Sequence, residues 1–60
     1  MNADESKTAR ETLDALESMG LIEFGLPKNQ IAVLLSRIRR DAIITTHEYE
    51  LCLSWVFTHN

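Results

Sequence analysis

Between Tyr49 and Phe57, seven of nine side chains are apolar, and a chain of 60 residues has little else with which to cover them. Two local structures fit this stretch. Tyr49, Leu51, Leu53, Trp55 and Phe57 alternate with Glu50, Cys52, Ser54, Val56 and Thr58, as in a half-buried strand with Val56 as the misfit. As a helix, the same segment gathers His47, Glu50, Ser54 and Thr58 into a narrow polar stripe and leaves a wide apolar arc. Thr45 followed three residues later by Glu48 makes a capping box. A strand of this length would need long partners that no other segment supplies. The expectation is therefore a helix over 46–58, with a strand over 49–57, and so an α+β fold, as the alternative.

Two further helices are expected, over about 5–19 and 27–42. In the first, Ala9, Thr12, Leu13, Leu16 and Met19 recur at helical spacing, and Arg10, Glu11, Asp14, Glu17 and Ser18 lie opposite. Asn2, Asp4 or Ser6 caps its start, and Gly20 suits a left-handed residue beyond its end. In the second, Ile31, Leu34, Leu35, Ile38 and Ala42 share an arc of roughly 100°, and Pro27 pre-sets the first turn. The link Leu21-Ile22-Glu23-Phe24-Gly25-Leu26 is too apolar for an ordinary exposed loop and is read as a connector tucked against the core. The fold class that follows is all-α, a single domain over 1–60.

A domain this small buries only about 60% of the surface its unfolded chain exposes. Its core rarely contributes more than roughly 3–5 kcal/mol after entropy is subtracted. Two neighbours offering arcs of roughly 100° each cannot cover the whole apolar surface of the third helix. The other arrangement is a central third helix wrapped by both neighbours. The uncovered surface points to a second copy, giving a dimeric helical bundle with Tyr49, Leu51, Leu53, Trp55, Val56 and Phe57 at the interface.

Charge is unevenly spread although the net value is only −3. Residues 1–24 carry six acidic and two basic side chains, and Glu11, Asp14 and Glu17 form an acidic face. Residues 25–42 carry Lys28, Arg37, Arg39 and Arg40 against Asp41 alone, a candidate docking or nucleic-acid face. Four positive charges without interleaved aromatics make a modest footprint for a polyanion.

Signatures of catalysis are missing. Gly20 and Gly25 do not form a phosphate-cradling loop, and no G-x-S-x-G, H-E-x-x-H or C-x-x-C pattern occurs. His47, Glu48, Cys52 and His59 do not match a zinc spacing. No enzyme activity, metal or cofactor is expected. One cysteine cannot form an internal bridge and fits a reducing compartment. No apolar run approaches the roughly 20 residues of a membrane span, and the start of the chain is not a signal peptide. A soluble cytoplasmic protein without membrane partners is expected.

Residues 8–23, Thr8 to Glu23, resemble the recognition helix and following turn of winged-helix regulators, in which a leucine-rich ending closes on glycine-leucine-isoleucine. The likeness covers about a quarter of the chain and implies DNA contact through that helix. Here that face would present Glu11, Asp14 and Glu17, which repel phosphate, so no family is assigned.

The function expected from these features is that of a small accessory or regulatory protein, a homodimer that binds another protein. Its size fits small regulators carried by phages, plasmids and bacterial chromosomes. The alternative is a small dimeric DNA-binding transcriptional regulator that uses the basic face of the second helix.

Overall fold

A computed structural model describes residues 1–59, and the described chain is all-helical: α1 (Ala3–Ser18), α2 (Lys28–Arg40) and α3 (Thr46–Thr58). The segment over 49–57 lies within α3, so the strand alternative does not occur.

Local chemistry fixes where each helix begins. At α1 the Glu5 backbone N–H donates to Asn2 Oδ1 at 2.8 Å, and the Asn2 N–H donates back to Glu5 Oε1 at 3.2 Å. At α3 the Glu48 N–H donates to Thr45 Oγ1 at 3.0 Å and the Thr45 N–H to Glu48 Oε1 at 2.8 Å. Both are capping boxes, each satisfying two donors that a helix start leaves orphaned. Between them, α2 begins after Pro27 without a side-chain cap.

The helix ends are fixed by a shared device. Beyond α1, the Gly20 N–H donates to the Glu17 carbonyl and the Leu21 N–H to the Leu16 carbonyl. Beyond α2, the Ala42 N–H donates to the Arg39 carbonyl and the Ile43 N–H to the Ile38 carbonyl. These are two Schellman motifs, and each needs a left-handed residue: Gly20 at φ 77° and Ala42 at φ 60°. Ala42 therefore leaves the apolar stripe on which periodicity placed it and is exposed. Met19 likewise becomes an exposed cap at the end of α1.

The helices are arranged around α3. Cys52 lies against Ala9, while Ser54 and Thr58 share a cleft with Glu5 and Ser6, so α1 and α3 run antiparallel. Arg39 lies over Tyr49 and Ile31 sits near Trp55 and Val56, so α2 and α3 are antiparallel as well. Both α1 and α2 pack against α3, whereas their own Cα atoms do not come within 8 Å of each other. Leu13 and Leu16 from α1, Ile31, Leu35 and Ile38 from α2, and Cys52 and Val56 from α3 form one buried cluster. Ile22 from the connector and Ile44 from the second turn complete it, which accounts for the apolar character of these links.

This central position absorbs most of the apolar excess of α3. Surface area scales with mass such that a folded monomer of this size exposes about 4,000 Å². The chain exposes 3987 Å², so its shape is that of an ordinary compact monomer.

Candidate functional site

The six side chains expected to form a single interface are divided by the fold. Leu51 and Val56 turn inward and retain only 8% and 6% of their exposure. Tyr49, Leu53 and Trp55 are half-buried, and Phe57 is 52% exposed. On a helical wheel Tyr49, Leu53 and Phe57 follow one another at i, i+4 and i+8, forming a single stripe along the edge of α3. Trp55 looks the other way.

There it becomes part of a groove that no single segment of the sequence announces. Phe24 and Leu26 of the connector, Ile31 of α2 and Trp55 and Val56 of α3 give it apolar walls, and it encloses about 400 Å³. That volume lies within the range of sites that take small ligands or single anchoring side chains. Its polar lining comes from Arg10, Lys28 and His59, with no carboxylate among the described residues that line it. The Arg10 guanidinium lies 5.6 Å from the centre of the Trp55 ring. His59 stacks on the same indole with centroids 4.4 Å apart and planes 15° from parallel, and its Nδ1 lies 3.0 Å from the Trp55 carbonyl oxygen. These neighbours flank the indole at the groove wall.

Of the residues that build this groove, Trp55 and Val56 were expected at an interface and Lys28 on a charged face. The sequence places Arg10, Phe24, Leu26, Ile31 and His59 in other roles: a polar helix face, the tucked connector, the apolar arc of the second helix and a rejected zinc set. The signal that could have found them is the apolar connector, which has to lie against something; here Ile22 enters the core while Phe24, 41% exposed, stays at the surface.

The charged faces separate too. Arg37, Arg39 and Arg40 are exposed on the last turns of α2, with the Arg39 guanidinium 4.8 Å from the centre of the Tyr49 ring. Lys28 stands at the opposite end of α2, nine residues earlier, roughly 14 Å along the axis at 1.5 Å per residue. It belongs to the groove rather than to the arginine cluster. On α1, Glu11, Asp14 and Glu17 are exposed but locally engaged. Lys7 Nζ lies 3.9 Å from Glu11, Arg10 Nε donates to Asp14 Oδ1 at 3.4 Å, and the Phe24 N–H donates to Glu17 Oε2 at 3.4 Å.

The remaining reactive groups do not converge. His47 is exposed, Cys52 is fully buried, and His59 is held by Trp55. Among the described residues no three His, Cys, Asp or Glu side chains approach closely enough to share a metal ion. Burial, and secondarily the Glu48 carboxylate, push the Cys52 thiol up to about 11. No helix among the described residues is long and apolar enough to cross a membrane. Set against protein-family models, curated proteins and solved structures, the chain matches none of them.

Proposed function

We propose that this is a small accessory protein that self-associates and acts by binding another protein. The observation that carries this reading is the Tyr49–Leu53–Phe57 stripe, an apolar edge left on a helix whose Leu51, Cys52 and Val56 are already buried. Two copies related by a twofold axis would lay one stripe on the other, burying Phe57 and the outer faces of Leu53 and Tyr49. Glu50 and Ser54 would stay at the rim of such a pairing, where their polarity costs nothing.

Light scattering over a range of protein concentrations tests the pairing. A dimer mass for the native chain and a monomer mass for Phe57→Glu, with helical circular dichroism retained in both, is the expected result. A native chain that remains a monomer at the highest concentration counts against self-association.

A second reading, a DNA-binding regulator, is favoured by the exposure of Arg37 and Arg40 on one end of α2. Titration with duplex DNA at two salt concentrations separates the two readings. Steeply salt-dependent binding that disappears in the Arg37→Glu, Arg40→Glu variant would replace the first reading with the second.

A further inference from the structure

We propose that the Tyr49–Leu53–Phe57 stripe takes a second copy in parallel, the two α3 helices pointing the same way, with Arg39 of each copy against the partner's Glu50. The inference rests on the reading of this chain as self-associating, and it names the orientation of the pair and the residues that select it. Three observations lead to it. The stripe is flanked on one side by α2, whose Arg39 guanidinium lies 4.8 Å from the centre of the Tyr49 ring. On the other flank stands Glu50, exposed and about 100° further round α3 from Tyr49. Neither charge is neutralised within the monomer, where the ion pairs among the described residues are Lys7–Glu11 and Arg10–Asp14. A guanidinium over an aromatic ring still offers the N–H donors along its edge to a carboxylate.

Charge selects both the occupant and its orientation. One flank of the stripe is cationic and the other anionic, so its complement is the same surface turned half a circle about an axis parallel to α3. That rotation exchanges the flanks. It brings Arg39 of each copy level with the partner's Glu50, twice over by symmetry, while Tyr49, Leu53 and Phe57 each meet their own counterpart. A twofold axis perpendicular to α3 would run the helices antiparallel. Both α2 flanks would then share one side of the joint, with Arg39 and Glu50 on opposite sides and out of reach of each other. Parallel macrodipoles oppose the first arrangement, but that effect is confined to the end turns and is screened by salt. Exposed ion pairs add little affinity and act mainly on register and choice of partner, while the apolar stripe supplies the contact. A different protein would have to carry the same two flanks in the same order, which a second copy does by construction.

Paired charge reversals test this. Arg39→Glu gives each chain two acidic flanks, and Glu50→Arg gives it two basic ones. Each variant alone should dimerise about tenfold more weakly than the native chain by light scattering, with helical circular dichroism retained. Mixed together, the two should form a mixed dimer of near-native affinity, since every flank then meets its opposite. Arg37→Glu makes the same change of charge on the far side of α2 and should leave the affinity within about twofold. Orientation has its own readout, which needs neither charge variant to fold. In the parallel pair Phe57 faces its counterpart, so Phe57→Cys should form an intermolecular disulfide under mild oxidation. In an antiparallel pair centred on Leu53 those two positions lie about 12 Å apart along the axis, beyond the roughly 7 Å between Cα atoms that a disulfide spans. Cys52 is buried and does not compete. The proposal is overturned if both reversals dimerise like the native chain, if the mixture gains nothing over either variant alone, or if Phe57→Cys does not cross-link. Any of these results with a dimeric native chain keeps self-association and removes its orientation. A native chain that stays monomeric removes both.

Discussion

Cys52 Sγ donates to the Ala9 carbonyl oxygen across 3.8 Å, joining the middle of α3 to the first half of α1 at a point where both side chains are fully buried. The two residues are small, and this lets α1 lie close against α3. Because the thiolate would be buried without a counter-charge and near the Glu48 carboxylate, the folded chain holds the proton up to about pH 11, against an ordinary thiol value of 9.0. The unfolded chain releases it earlier. Between these two values the unfolded state binds fewer protons than the folded state, so stability falls as pH rises. Below pH 9 the thiol adds no slope. Urea unfolding at pH 7, 9 and 10.5 should therefore show a loss of stability at the highest pH that is smaller in Cys52→Ala. The same burial predicts that a thiol reagent labels the native chain at pH 8 only at the rate at which the chain opens.

Much of this arrangement could be read before any coordinates. The spacing of Leu13 and Leu16, and of Ile31, Leu35 and Ile38, marks the two flanking helices, and the Thr45–Glu48 pair decides helix over strand for the last segment. What periodicity does not reveal is the order of packing. The wide apolar arc of α3 fits equally a helix that seeks a second copy and one that sits between two neighbours. The choice depends on how the Gly20 and Ala42 turns direct α1 and α2, which is a property of backbone angles. The groove was illegible for the same reason. Arg10, Phe24, Lys28 and Trp55 come from four separate stretches, and only the packing of both flanking helices on α3 brings them together.

Ala42 offers a direct test of the turn geometry. It adopts φ 60°, a conformation that costs an L-residue about 1–2 kcal/mol relative to the right-handed helix region. Gly20 occupies the equivalent place after α1, at φ 77°, without that penalty. Ala42→Gly should relieve the strain at α2 while adding roughly 0.5–1 kcal/mol of unfolded-state entropy, for a net gain of up to about 1 kcal/mol. In a domain of this size such a gain raises the melting temperature by several degrees. Gly20→Ala should lower it. Nothing stands within 4 Å of the added methyl group, so that loss would measure backbone strain alone. Thermal unfolding of both variants checks the pair, and an Ala42→Gly chain that melts lower than the native one would contradict the argument.

Leu13 tests how much reserve the core has. It is fully buried, and its replacement by alanine removes transfer energy and leaves a cavity, together worth about 3–5 kcal/mol. A core of this size supplies roughly the same amount in total. Leu13→Ala should thus be largely unfolded at low protein concentration. If the chain pairs as proposed, mass action stabilises the folded form, and helicity should return as concentration rises. Circular dichroism measured across a hundredfold range of protein concentration would show this. Helicity that stays low throughout would mean that pairing contributes little to the fold.

Trp55 and Phe57 are two residues apart on α3 yet lie on different faces of the helix, and their variants should divide accordingly. Trp55 is half-buried between Arg10 and His59. Its replacement by alanine should cost about 2 kcal/mol, less than the 3–5 kcal/mol typical of a fully buried aromatic. The mass in solution should not change, since the indole faces away from the Tyr49–Leu53–Phe57 stripe. Phe57→Glu should behave in the opposite way, with a monomer mass and little loss of monomer stability. Phe57 already exposes half its surface, so the monomer loses little when it is replaced. Light scattering and thermal unfolding of the two variants, run side by side, distinguish two independent surfaces from one. If Trp55→Ala, with its helicity retained, also yields a monomer mass, α3 presents one continuous interface and the division argued from its two faces is mistaken.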